Sequence, residues 1–252
     1  MLNVISGTLS AGAAAVGGYS AAVLADNPTA FYLMNETSGS TAADTSGNGY
    51  NATIQGGVTL NVSTGLTGIP KAMTFNGSSG VVYSPNNAAF TKSPNAAWSV
   101  DWWFNTTDTS LELLSHHLTI RDNNSTDAGQ LMAALQSFNS AGYIFSTTFA
   151  DPTGRVNLET TSNVSNGAWH YAALTAASGG NFSFYIDGSL VSSSSAARRT
   201  TNSGNNYSLS IGANRGGVST WQQWFTGSLT AVAFYPTALS STRVSAHYSA
   251  GI

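Results

Sequence analysis

The stretch FSFYIDGSLV, residues 182–191, decides the fold class. Phe182, Phe184 and Ile186 fall on one side of an extended chain, with Ser183 and Tyr185 on the other, which is the period-2 pattern of a strand with a buried face. Asp187-Gly188 then supplies two residues that tolerate positive φ in a tight hairpin, and Leu190 and Val191 lie on the returning strand. The alternation recurs in both directions. Upstream, Trp98, Val100, Trp102 and Phe104 alternate with Ser99, Asp101, Trp103 and Asn105, and Trp103 keeps the second face from being fully polar. Downstream, Tyr207, Leu209 and Ile211 alternate with Ser208 and Ser210. The same pattern sets Phe225, Leu229, Ala231, Ala233 and Tyr235 against Thr226, Ser228 and Thr230. Phe31/Leu33, Met73/Phe75, Val81/Tyr83 and Tyr143/Phe145 mark further strands, and Gly-rich clusters at 46–49, 77–80 and 203–206 separate the runs. This spacing predicts an all-β sandwich or jelly roll.

Helical signals are confined to the two ends. Tyr19–Ala25 reads as one or two turns that Ser20 can cap and that must stop before Pro28. Ser240 precedes Val244, His247 and Tyr248 at near-helical spacing before Gly251, which predicts a short closing helix. Residues 1–18 are a Gly/Ala/Ser arm without periodicity, expected to be flexible, and residues 19–252 read as one domain because no linker or repeat divides them.

Composition agrees. Apolar residues make up 42% and aromatic residues 11%, ample for a core, while charged residues are 8%, against roughly 25% in an ordinary domain. Ser, Thr, Asn and Gly carry the surface, as suits strands and turns. A net charge of −3 with lysine only at 71 and 92 offers no stripe for a phosphate backbone, so nucleic-acid binding is not expected, and Arg198-Arg199 reads as a solvated loop pair. There is no cysteine for a disulfide or thiolate site. The start lacks the positive region of a signal peptide, and no run reaches the roughly 18 apolar residues of a membrane span.

Four segments, in order, resemble the laminin G-like, concanavalin A-like family. They are VLADNPTAFYLMNETSGSTAADTSGNGYNATIQGG from Val23 to Gly57, KAMTFNGSSGVVYSPNN followed by WSVDWWF, GAWHYAALTAASGGNFSFYIDGSLV, and LSIGANRGGVSTWQQWFTGSLTAVAFYPTALSSTRVSAHYSAG. The resemblance implies a jelly roll of two antiparallel sheets with short helices near both ends. The VLADNPTAFY opening is similar to such domains in surface proteins of bacteriophage tails and heads.

Glycoside hydrolysis needs two carboxylates flanking the bond, about 5–10 Å apart. Glu36, Glu112 and Glu159 are far apart in sequence, and the strand-borne Asp101 has Ser99 and Trp103 as same-face neighbours, so no enzyme is expected. His116-His117 would point to opposite faces of a strand, one ring packed and one solvated, without a shared metal site. The family resemblance raises calcium at Asp44 and Asn48 in the DTSGNG turn, with Asn51 near. Calcium needs six to eight oxygen ligands, and Ser228-Leu229-Thr230-Ala231 lacks the acid the family places there, which favours Asp44 as an Asx-type turn cap. No other cofactor is implied. Sugar binding needs an aromatic face with fixed polar partners, and the segment NRGGVSTWQQWF gathers Trp221 and Trp224 with Asn214, Arg215, Gln222 and Gln223. Either Trp could instead cover a core edge.

These signals predict a non-enzymatic virion-surface protein of a bacteriophage. Its N-terminal arm would attach to other virion proteins, several copies would cluster, and its lectin-like domain would adhere to a host glycan. A free-standing carbohydrate-binding lectin is the alternative, with a glycoside hydrolase as the minor one.

Overall fold

The computed structural model describes residues 14–85, 90, 96–108, 115–122, 130–139, 142–151, 154–160, 162–195, 207–215 and 220–252. The chain runs through α1 (Ala14–Leu24), β1 (Ala30–Tyr32), β2 (Thr41–Ala42), β3 (Ala52–Gln55), β4 (Val58–Ser63), β5 (Lys71–Asn76), β6 (Val81–Ser84) and β7 (Trp98–Asn105). It continues with β8 (Ser115–Asp122), β9 (Gln130–Asn139), β10 (Gly142–Asp151), β11 (Gly154–Glu159), β12 (Trp169–Ala176), β13 (Phe182–Ile186) and β14 (Ser189–Ser194). Last come β15 (Tyr207–Ile211), β16 (Asn214–Arg215), β17 (Trp221–Gln222), β18 (Thr226–Tyr235) and α2 (Ser241–Gly251).

One sheet has the order β14-β13-β12-β7-β18-β5-β4, with β1 also paired to β18, and the second has the order β11-β10-β9-β8-β15-β6-β3-β2. The pairings within both are antiparallel. Val100, Trp102 and Phe104 of β7 and Phe182, Phe184 and Ile186 of β13 face Leu118 and Ile120 of β8 and Leu209 and Ile211 of β15 across the main core. The Asp187-Gly188 hairpin has φ 50° and 76° as its sequence requires. Asp187 also ties the turn down by accepting from the Tyr171 amide at 2.9 Å.

The alternation through 225–235 is broken where the sequence reads as continuous. Pairing of β18 with β7 shifts between Thr230 and Ala233, and Ala231 has φ 51°. This bulge reverses the facing of the strand. Phe225, Leu229, Val232 and Phe234 enter the core between the sheets, whereas Ala231, Ala233 and Tyr235 join a second cluster on the far side of β18.

That second cluster explains Trp103. Trp103, Tyr171 and Tyr235 are buried beneath Tyr19 and Val23 of α1 and Val244 of α2. Ser240 caps α2 by accepting from the Arg243 amide at 3.3 Å. Gly251 lets the helix close on the sheet, because a Cβ there would meet the Trp103 ring at 2.4 Å. α1 begins at Ala14, earlier than the sequence suggests. Ser20 therefore lies inside the helix instead of capping it, and residues 14–18 of the expected flexible arm are helical. Residues 1–13, the 203–206 cluster and Arg198-Arg199 lie outside the described residues.

Candidate functional site

β16 and β17 form a separate two-stranded ribbon between β15 and β18, pairing Asn214 with Gln222 and Arg215 with Trp221. Two hydrogen bonds root it on β8: His116 donates its amide to the Gln223 carbonyl at 3.1 Å, and the Ser115 hydroxyl donates to the Trp224 carbonyl at 3.4 Å. Gln223 takes φ 56° to make this turn, and its side-chain carbonyl accepts from Asn214 Nδ2 at 2.6 Å. Asn214 is thus buried as a brace of the ribbon, while Gln222 is exposed and Arg215, Trp221, Gln223 and Trp224 are half-buried. Gly216 and Gly217 lie outside the described residues.

The structure adds a residue the sequence did not connect to this group. Val82 points into the core between the sheets, so its neighbour Tyr83 stands on the outward face of β6. The Tyr83 and Trp221 rings meet edge to face, centroids 5.0 Å apart at 81°, and Trp224 lies 6.4 Å from Trp221 at 48°. The Arg215 guanidinium sits 4.9 Å from the Tyr83 ring centroid and 5.7 Å from that of Trp221, and its Nη1 donates to the Tyr83 hydroxyl. Half-buried aromatic rings with a cation and one exposed amide, that of Gln222, beside them form a surface on which a sugar ring can stack and be hydrogen-bonded. The outward period of β6 was the signal for Tyr83; its proximity to Trp221 depends on long-range pairing.

The other candidates are spent on structure. Asp44 Oδ1 accepts from the amides of Phe31 and Ser46, at 2.9 and 3.0 Å, and Oδ2 from that of Tyr50 at 2.9 Å. Asn48 Nδ2 donates to the carbonyls of Pro28 and Thr29 at 3.2 and 3.0 Å, and Asn51 Oδ1 accepts from the Asp44 amide at 2.9 Å. This donor-rich surrounding suits a carboxylate capping a turn. Ser228 Oγ and Thr74 Oγ1 bond each other at 2.6 Å, and Thr230 Oγ1 lies 2.9 and 2.8 Å from the carbonyls of Leu33 and Lys71. Among the described residues, no three His, Asp or Glu side chains gather as a metal-holding group.

His116 and His117 do face opposite ways, but neither ring is solvated: both are fully buried. A bulge between His116 and Leu118 turns His117 into the core, where Nδ1 accepts from Trp102 Nε1 at 3.2 Å and the ring packs 4.5 Å from Phe225. His116 Nδ1 lies 3.1 Å from Thr119 Oγ1. Burial pushes His116 down to about 3 and, with the His116 ring adding to the effect, His117 well below the ordinary imidazole range. Asp101, the strand-borne acid, is completely buried and engaged with His247, Tyr171 and Tyr235. Glu36 Oε1 accepts from the Ala43 amide at 2.8 Å. Glu112 lies outside the described residues.

Two stacked antiparallel sheets with this pairing order, closed by a short helix, define a concanavalin A-like sandwich. The chain belongs to the concanavalin A-like lectin/glucanases superfamily, through a laminin G family model that matches residues 76–245. Similar solved structures include the botulinum neurotoxin serotype C1 binding domain (TM-score 0.65, 17% identity, 91% of this chain and 53% of that one). The neurotoxin DC binding domain in complex with SialylT is also similar (TM-score 0.63, 16% identity, 89% and 51%). A third is domain 4 of AbnA, a GH43 extracellular arabinanase from Geobacillus stearothermophilus, in complex with arabinotriose (TM-score 0.60, 20% identity, 88% and 98%). The chain spans about half the length of the toxin binding domains. At these identities the likeness is one of fold. No curated protein matches the chain, and no described helix is long and apolar enough to cross a membrane.

Proposed function

We propose that this chain is a non-enzymatic glycan-binding module whose ligand stacks on Trp221 and Trp224 at the β16–β17 ribbon. The observation that carries this reading is the convergence of Tyr83, Trp221 and Trp224 around Arg215, with Gln222 exposed beside them. Sugar-bound neighbours of the same fold support it: the arabinanase domain is in complex with arabinotriose and the toxin domain with SialylT. The burial of Asp101 under both helices speaks against a catalytic role for that acid.

The test is a panel of immobilised neutral and acidic oligosaccharides probed with the full chain. Saturable binding to at least one, without release of reducing ends, is expected. Turnover that falls more than about a hundredfold in Glu36→Gln, Glu112→Gln or Glu159→Gln would overturn the non-enzymatic reading, since losing a general acid or base costs about 10²–10⁴-fold.

The VLADNPTAFY opening favours a placement for this module on a bacteriophage virion, outside the cell. In that setting the segment before α1 attaches to other virion proteins, and clustering of copies raises avidity for a cell-surface glycan. Attachment that survives deletion of residues 1–13 rejects the role of that segment, and failure of the full chain to attach to virions rejects the placement and leaves a free-standing lectin.

A further inference from the structure

We propose that the outward face of the sheet holding β7 and β18 carries a second glycan-binding surface, a row of side chains from Thr59 to Trp169 that takes an uncharged polysaccharide lying across the strands. The proposal extends the glycan-binding reading and uses none of the ribbon's residues. Register sets the row: Thr59 of β4 is opposite Thr74 of β5, Thr74 opposite Ser228 of β18, Ser228 opposite Asn105 of β7, and Asn105 opposite Trp169 of β12. Residues directly opposite one another share a face of the sheet. That face is the outward one, because the adjacent Phe75, Leu229 and Phe104 enter the core between the sheets. With neighbouring strands about 4.8 Å apart the row spans about 19 Å, room for several sugar rings in line.

Elsewhere on this face the outward residues, Trp103 and Tyr171 among them, are buried in the layer under α1 and α2. The row is left open: Thr59 is exposed and the other four are half-buried. Trp169 packs against the second apolar layer, which fixes its ring, yet no other ring or cation stacks on it among the described residues. The polar capacity of the row is unspent. Thr59 Oγ1, Asn105 Oδ1 and Trp169 Nε1 make no hydrogen bond among the described residues. Asn105 Nδ2 donates to the Gly167 carbonyl at 2.5 Å, which holds the amide in place. The Thr74 and Ser228 hydroxyls bond each other at 2.6 Å, leaving one of their two protons to a ligand. No member of the row is charged. The ligand that fits it is therefore a neutral sugar chain, with a ring face for the indole and hydroxyls for the amide and the threonines. A protein partner would need an apolar centre, and the row offers a single ring.

The experiment is nuclear magnetic resonance of the full chain titrated with cellohexaose, xylohexaose and mannohexaose. It is read at the indole N–H signals of the six tryptophans, with that of Trp169 assigned through Trp169→Phe. At least one hexaose should shift the Trp169 signal saturably, about tenfold or more tightly than the matching disaccharide because only the longer chain spans the row, and raising salt from about 0.05 to 0.5 M should not weaken it. Thr59→Val at the far end of the row, where the side chain is exposed and holds no structural bond, should weaken the hexaose by about threefold or more through one lost hydrogen bond and leave the disaccharide unaffected. A Trp169 signal unmoved by all three hexaoses overturns the proposal, and the ribbon reading stands if the signals of Trp221 or Trp224 move instead. Equal hexaose affinity of the wild-type and Thr59→Val chains confines the contact to Trp169 and overturns the row. Failure to bind these sugars and every sugar of the wider panel overturns both readings.

Discussion

His247 Nδ1 lies 2.7 Å from Asp101 Oδ2, entirely shielded from solvent, and the opposite ring nitrogen lies 2.8 Å from Asp26 Oδ2. A ring with a carboxylate oxygen at each nitrogen needs a proton on both. Burial opposes that charge, but hydrogen bonds to and the fields of Asp101 and Asp26 outweigh it and hold the imidazole above its usual range. Tyr171 and Tyr235 donate to Asp101, and Arg243 Nε pairs with Asp26 at 2.8 Å. The cluster fastens the end of α1, α2 and β7 over the second apolar layer.

Because the folded value is raised, the contribution of His247 is complete below the unfolded imidazole pKa of about 6.5 and is lost as pH rises through the folded value. Urea unfolding between about pH 6 and 9 should show stability falling with pH. His247→Gln should be less stable by about 3 kcal/mol near pH 6, as expected when a buried ion pair loses one partner, and this alkaline decline should disappear.

The core histidines give the opposite slope. His116 and His117 are held neutral by burial, so below about pH 6.5 the unfolded chain takes up protons that the folded chain refuses. Stability should fall by about 1.4 kcal/mol per pH unit for each ring. His116→Gln should remove one ring's share of that slope in unfolding curves from about pH 6.5 to 4.5.

Asp44 accepts three amide protons in its turn. Asp44→Ala should cost about 2–3 kcal/mol, since hydrogen bonds to a charged group are among the stronger ones, and the cost should be equal with and without a chelator. A wild-type melting temperature that drops on chelation, with the drop abolished by Asp44→Ala, would instead establish calcium at this turn.

Local signals carried much of this fold, and their failures have physical causes. The Asp187-Gly188 hairpin, the Trp98–Asn105 strand and the Ser240-capped helix are legible because residue type and period state the conformation directly. The reversal at Ala231 is not, since alanine gives no sign that it will take φ 51°. The sequence places the start of α1 too late because Gly17 and Gly18 disfavour helix, a preference that packing of Tyr19 and Val23 overrides. In the candidate site, the tryptophans and Arg215 are visible as one segment, whereas Tyr83 reaches them from 132 residues before Arg215. His247 and Asp101, 146 residues apart, likewise have no local signature.

Removal of α1 tests the second apolar layer. Removing residues 1–24 takes away the buried Tyr19 and Val23 and should destabilise the domain by about 3–5 kcal/mol on apolar burial alone, with new binding of a hydrophobic dye to the uncovered Trp103 layer.

The central claim is that the β16–β17 ribbon holds a sugar, and Trp221→Ala tests it most directly. Once the oligosaccharide panel supplies a ligand, its affinity for the wild-type and Trp221→Ala chains should be compared by calorimetry, with melting temperatures as the control for folding. Loss of at least about tenfold in affinity, equal to about 1.4 kcal/mol, with the melting temperature preserved, is the expected result. Undiminished binding by Trp221→Ala would contradict the account and move the sugar site elsewhere on the sandwich.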